Sequence, residues 1–240
     1  MVLFCMFPLA ISSFSQSPLE GNLSLDRIIS APQFSNNVQL MLSIAFISLI
    51  PFFLVSVTAF LRIIIVFSLI RTAIGTQQVP PTMVLIGLAL FMTVFVMSPT
   101  WEEINTKALA PYNQGKISQA KAIETGMKPL RNFMLRQTRE KDLALFVQFA
   151  KIKAPKSFDD IPTYVVIPSF MISELKTAFQ IGFLLFIPFI IIDLVVANIL
   201  LSLGMFMLSP VMVSLPFKIL LFVLVDGWGL ISKGLLLSFR

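Results

Sequence analysis

From Tyr164 to Leu208 the chain is almost wholly apolar for 45 residues, yet this run carries Glu174, Lys176 and Asp193. A charge at a bilayer centre costs about 3 kcal/mol on insertion scales, so three in one run demand partners, a water-filled path or a place outside lipid. Glu174 and Lys176 stand two residues apart, about 200° round a helix from each other, and cannot pair within one turn. Their partners are expected from neighbouring copies of the helix, with Ala178 and Gly182 leaving room for close approach. Ser173, Thr177 and Gln180 form a polar stripe beside them. The alternative is that both charges snorkel at a membrane edge, near the start of the run. Asp193 has no such escape among Ile190–Ile192 and Leu194–Val196, and needs a cation or a proton. Lys218 is the candidate across a hairpin, because it and Asp193 lie nearly equidistant from residue 206, unless it reaches water at a helix start instead.

The composition agrees with a membrane-class chain: 57% hydrophobic, 12% charged, mean hydropathy +0.90 over 240 residues. The apolar residues arrive in blocks long enough to be spans. There is no His, and the one Cys is Cys5, so neither a disulfide framework nor a metal site is expected. The net charge of +6 does not indicate nucleic acid, because 11 of the 18 Lys and Arg lie in residues 100–163 beside 7 Asp and Glu, as on a solvated surface.

Residues 1–15 read as a signal peptide, an apolar run closed by Ser13-Phe14-Ser15, or else as an uncleaved hydrophobic terminus. An extended arm is expected over 16–39. A first helical hairpin is expected over 40–99: Leu40–Ile70 is too long for one crossing and kinks near Pro51 or carries Arg62 out of the membrane, and the block Met83–Met97 ends at Ser98-Pro99. Residues 100–163 are a polar, mostly helical extracytoplasmic loop. Ile123, Met127, Leu130 and Met134 mark one amphipathic helix in it, and Leu143, Phe146, Val147 and Ala150 a second that Thr138 caps. Residues 164–240 form a second hairpin, kinked at Pro188 and turning at Gly204–Pro210, with Lys218 and Asp226 in its last helix.

The second hairpin's tip gathers Met205, Phe206, Met207 and Met212 between breakers. Flexible, polarizable Met side chains suit either a pliable seal or ordinary apolar filler. Catalysis has little support: no nucleophile elbow, no phosphate-cradling Gly loop and no His, while proteolysis by Asp193 and Asp226 has no supporting sequence around it. A proton relay through Asp193 and Glu174 is the transporter alternative.

The segments Thr58-Ala59-Phe60-Leu61-Arg62-Ile63-Ile64-Ile65-Val66, Gly75-Thr76-Gln77-Gln78-Val79-Pro80-Pro81, Arg136-Gln137-Thr138-Arg139-Glu140-Lys141-Asp142, Ser173-Glu174-Leu175-Lys176-Thr177-Ala178-Phe179 and Ser214-Leu215-Pro216-Phe217-Lys218, with Val225-Asp226-Gly227-Trp228, resemble the FliP family of flagellar type III export-gate proteins from about Leu40 onward. A paralogue in virulence secretion systems shares some of these themes. The resemblance implies an all-α, membrane-associated protein of two long kinked hairpins flanking the polar loop, assembling into a helical ring. It also implies no enzymatic activity, no cofactor and no metal. The implied ring holds five copies of this chain with one FliR-like subunit, wrapped by FliQ-like hairpins and served by FlhA-like and FlhB-like components. Unfolded flagellar proteins would pass through it in the basal body of the bacterial inner membrane, much of it on the periplasmic side. The gate maps onto Met205, Phe206 and Met207, subunit-subunit charges onto Glu174 and Lys176, and further buried-charge candidates onto Arg62, Asp193, Lys218 and Asp226.

Overall fold

Two helices, α1 (Pro32–Val57) and α2 (Phe60–Ile74), replace the single kinked helix expected over Leu40–Ile70. Pro51 lies inside α1, and the break falls at Thr58-Ala59 instead. The cause is local hydroxyl chemistry: Ser56 Oγ donates to the Phe52 carbonyl at 2.7 Å, Thr58 Oγ1 donates to the Leu54 carbonyl, and the Phe60 amide then donates to Thr58 Oγ1 at 3.3 Å. Side chains that satisfy the backbone this way compete with the helix ladder. The computed structural model describes residues 32–76, 78–152 and 157–239. The expected signal peptide, Cys5 and residues 16–31 of the expected arm lie outside them. From Pro32 the expected arm is already helix.

All regular structure among the described residues is helical. Two units divide the chain, Met1–Ser48 and Leu49–Arg240. In the first, the apolar side chains of Leu40, Met41, Leu42 and Ile44 are exposed. The second holds the core.

At the centre of that core, α2 buries Ile63, Val66, Phe67 and Ile70, apolar on nearly every side. Gly75, at φ 90°, ends it in the left-handed conformation, its amide bonding the Thr72 carbonyl at 3.0 Å. Next comes α3 (Thr82–Ile104), which runs through Pro99 where the sequence marks a stop. Its far end buries Met97, Thr100 and Ile104 and continues into a π turn (Asn105–Leu109) and the short α4 (Ala110–Asn113). A helical proline forfeits about 3 kcal/mol, which tertiary packing at this end offsets.

The polar loop folds as α5 (Gln119–Gln137) and α6 (Glu140–Phe149). Ser118 caps α5, its hydroxyl accepting from the Lys121 amide. The buried face of α5 is Ala122, Pro129, Phe133 and Met134; Ile123 and Met127, expected inside, are exposed. That face is rotated because Gly126 sits against Ile104 and Ala108, where an added Cβ would lie 3.4 Å from the Ala108 Cβ. Thr138 is not the cap of α6 either: its hydroxyl bonds back to the Met134 carbonyl at 2.7 Å, and Arg139 takes the cap position. Arg131 ties the segment before the last hairpin to α5, donating to the carbonyls of Phe158, at 2.6 Å, and Ile161.

The second hairpin begins with α7 (Thr163–Ser202), one unbroken helix through Pro168 and Pro188. It lies along α2, where an added Cβ on Gly182 would collide with Leu69 Cδ1. The helix expected over 211–237 is two, α8 (Pro210–Leu224) and α9 (Gly227–Leu237), bent by 62° at Val225-Asp226. By length and composition three helical segments among the described residues could each cross a membrane: Leu40–Val57, Thr82–Asn113 and Thr163–Ser202. The α8–α9 pair is a fourth if its two arms form one broken span.

Candidate functional site

Arg62, in the first turn of α2, points into the protein and meets Glu174 of α7. Its Nε donates to Glu174 Oε2 at 2.8 Å and Nη2 donates to Oε1, a two-pronged contact matched to the carboxylate. Nη1 donates to the Ser238 carbonyl at 2.8 Å and to Ser238 Oγ at 2.9 Å, while Nη2 also reaches Gln137 Oε1 at 3.0 Å. Five bonds match the five N–H groups of a guanidinium. The ring of Phe239 lies 3.9 Å from the guanidinium carbon. Glu174 is 0% exposed and Arg62 2%, so the pair is tolerable only because every donor is met.

Glu174, expected to reach a sister chain, is thus sealed against its own. Lys176 also finds a partner within the chain, donating to Asp142 of α6, but half of its side chain stays exposed. The other oxygen of Asp142 is buried and has no partner among the described residues. The polar stripe of α7 receives the α5–α6 turn: the Arg139 amide donates to Ser173 Oγ at 2.9 Å, its guanidinium donates to Thr177 Oγ1 at 3.0 Å and to Gln180, and Ser173 Oγ donates to the Gln137 carbonyl at 3.3 Å. Sequence reasoning missed Gln137, Arg139, Asp142 and Ser238. Only Asp142 carries a signal, since it precedes Phe146 by four residues and so shares the inward face of α6.

Across the second hairpin Lys218 Nζ donates to Asp193 Oδ2 at 2.6 Å, and Ser214, one turn before Lys218, donates to the other oxygen. Lys218 is buried and Asp193 is partly shielded. Phe189 and Phe222 pack at 6.5 Å beside them. Asp226, expected to be a buried charge, is exposed at the α8–α9 bend. There it adopts φ 50°, a conformation that Asp tolerates better than most residues. The bend is filled from inside: Phe222 meets Trp228 edge-on at 5.3 Å, and an added Cβ on Gly227 would strike the Phe222 ring.

The ion pair fastens the legs of a hairpin whose tip is rigidly terminated. Gly204, at φ 73°, donates to the Leu201 carbonyl at 3.1 Å, and the Met205 amide donates to the Leu200 carbonyl at 2.9 Å, the two-bond Schellman ending of a helix. Beyond it Met205, Phe206 and Met207 project outward, Met207 100% exposed. The legs below are bare as well, with Phe183, Leu194, Phe217 and Leu220 exposed. The tip residues Met205, Phe206 and Met207 carry no titratable group, and no group of three or more His, Cys, Asp and Glu gathers among the described residues. What the tip offers is a flexible apolar surface on a stiff support.

A family model described as the FliP family matches residues 43–235. Among curated proteins, the flagellar biosynthetic protein FliP of Bacillus subtilis (strain 168) is 57% identical over 85% of this chain and 93% of its own length. The protein of the same name from Pectobacterium carotovorum subsp. carotovorum is 52% identical over 85% of this chain and 79% of its own, and that of Borreliella burgdorferi is 45% identical over 88% and 84%. A model match that spans the polar loop, the buried ion pairs and both legs of the tip hairpin places the chain: it belongs to the FliP family.

Proposed function

We propose that the chain is a core subunit of the flagellar type III protein export channel, in which copies arrange their second hairpins around a common conduit and the Met205–Met207 tips close it. The observation that carries this reading is the fully exposed Met207 on a capped, ion-pinned hairpin: an isolated chain gains nothing by holding an apolar side chain out on a rigid stem, whereas a ring of such stems buries each tip against its neighbours. Unfolded chains vary in the surfaces they present, and Met side chains adapt to many surfaces. The relatives' names support the flagellar rather than the virulence setting.

The ring takes five copies with one FliR-like subunit, FliQ-like hairpins around them and FlhA-like and FlhB-like components alongside, in the inner membrane at the flagellar basal body with much of the assembly on the periplasmic side. Lys176, half exposed beside Asp142, is the member of the expected intersubunit pair still able to reach a neighbour. A proton relay is disfavoured, because both candidate carboxylates are engaged by basic partners inside the chain. Deleting Met205–Met207 tests the gate: the complex still assembles, and ion conductance across membranes containing it rises. Unchanged conductance from an assembled deletion complex overturns the seal.

A further inference from the structure

Between the C-terminal half of α3, α5 and α9 lies an open groove of about 1020 Å³. Its walls are largely apolar, with Phe95, Phe133 and Leu237 among them, yet Arg136 and Lys233 stand on the same groove. Neither cation has a hydrogen bond or ion pair among the described residues. Glu103 borders the adjoining cavity with Arg136, but its carboxylate is held by Lys107 at 2.5 Å. The α3 wall runs from Phe95 to Thr100, and the next residues are the exposed Trp101 and then Glu102 and Glu103. That change from apolar to charged through an amphipathic ring marks headgroup depth.

We infer that this groove binds an anionic phospholipid, its phosphodiester between Arg136 and Lys233 and an acyl chain along Phe95. Basic pockets between membrane helices attract anionic headgroups, and two unpaired cations favour a net-negative headgroup over a zwitterionic one. A carboxylate from a second copy would satisfy the cations but leave the apolar wall uncovered, whereas an acyl chain covers it. The site lies on α3, α5 and α9 and does not depend on whether the α7–α8 tip is a gate.

The test uses the full chain, assembled in detergent and offered equal amounts of phosphatidylglycerol and phosphatidylcholine with identical acyl chains, with retained lipid counted by native mass spectrometry. Phosphatidylglycerol is retained about tenfold better, the preference falls to about twofold or less in R136Q/K233Q, and the charge-matched control K116Q/K128Q keeps it. Equal retention of the two lipids overturns the inference, as does an equal loss in both double variants. Displacement by excess glycerol phosphate, which has the headgroup chemistry and no chains, overturns it in favour of a plain anion site. Carbodiimide cross-linking of Lys233 to a second copy overturns it in favour of a protein contact.

Discussion

Arg62 and Glu174, 112 residues apart in sequence, form the ion pair that joins α2 to α7, and neither has contact with solvent worth the name. Removing one partner strands the other in a low-dielectric interior, a loss of about 3–5 kcal/mol. Glu174→Gln and Arg62→Met should each lower the melting temperature of the detergent-solubilised protein sharply. The double variant should be clearly more stable than the sum of the single losses. Strictly additive losses would show that the two residues act separately.

Asp193 and Lys218 make the corresponding pair in the tip hairpin, with less burial on the Asp193 side. Asp193→Asn keeps one acceptor oxygen for two donors and strands the buried Lys218 ammonium, so it should cost more than Lys218→Met, which leaves a partly exposed carboxylate still bonded by Ser214. Adding Lys218→Met to Asp193→Asn should recover part of the loss. Hairpin integrity is read by protease cleavage near 204–210, and equal cleavage in all three variants would reject the pairing as the fastening.

Gly182 fixes how closely α7 approaches α2, because Leu69 occupies the place of its missing side chain. Gly182→Val should destabilise by about 1–3 kcal/mol through overpacking. Leu69→Ala should relieve most of that in the double variant, and thermal melts of the four proteins in the cycle measure it. A Gly182→Val protein that melts like the parent would place the contact elsewhere.

The sequence is informative where chemistry is local or symmetric. Apolar block length marks α3 and α7, and equal spacing from the tip brings Asp193 to Lys218, because a hairpin opposes residues equidistant from its turn. Glu174 was legible as a charge needing a partner but not as the partner of Arg62, since periodicity says nothing about which of several helices lies alongside. The helix break at Thr58 and the rotated face of α5 were hidden for a related reason: each is set by a short contact, a hydroxyl on its own backbone in one case and Gly126 against Ala108 in the other. One proline misled in the opposite direction, since Pro99, read as a stop, is carried inside α3. Asp226, a buried-charge candidate by the family resemblance, sits at a bend that opens it to solvent.

The most direct measurement is copy-to-copy cross-linking at the tip. In a Cys5→Ser background, Met207→Cys should give linked copies on mild oxidation of native membranes, while a cysteine at Lys116, in the polar loop, should not. Linked Met207→Cys chains together with unlinked Lys116→Cys chains are what a ring of apposed tips predicts. Single chains only at Met207→Cys, in a complex shown to be assembled, would contradict it.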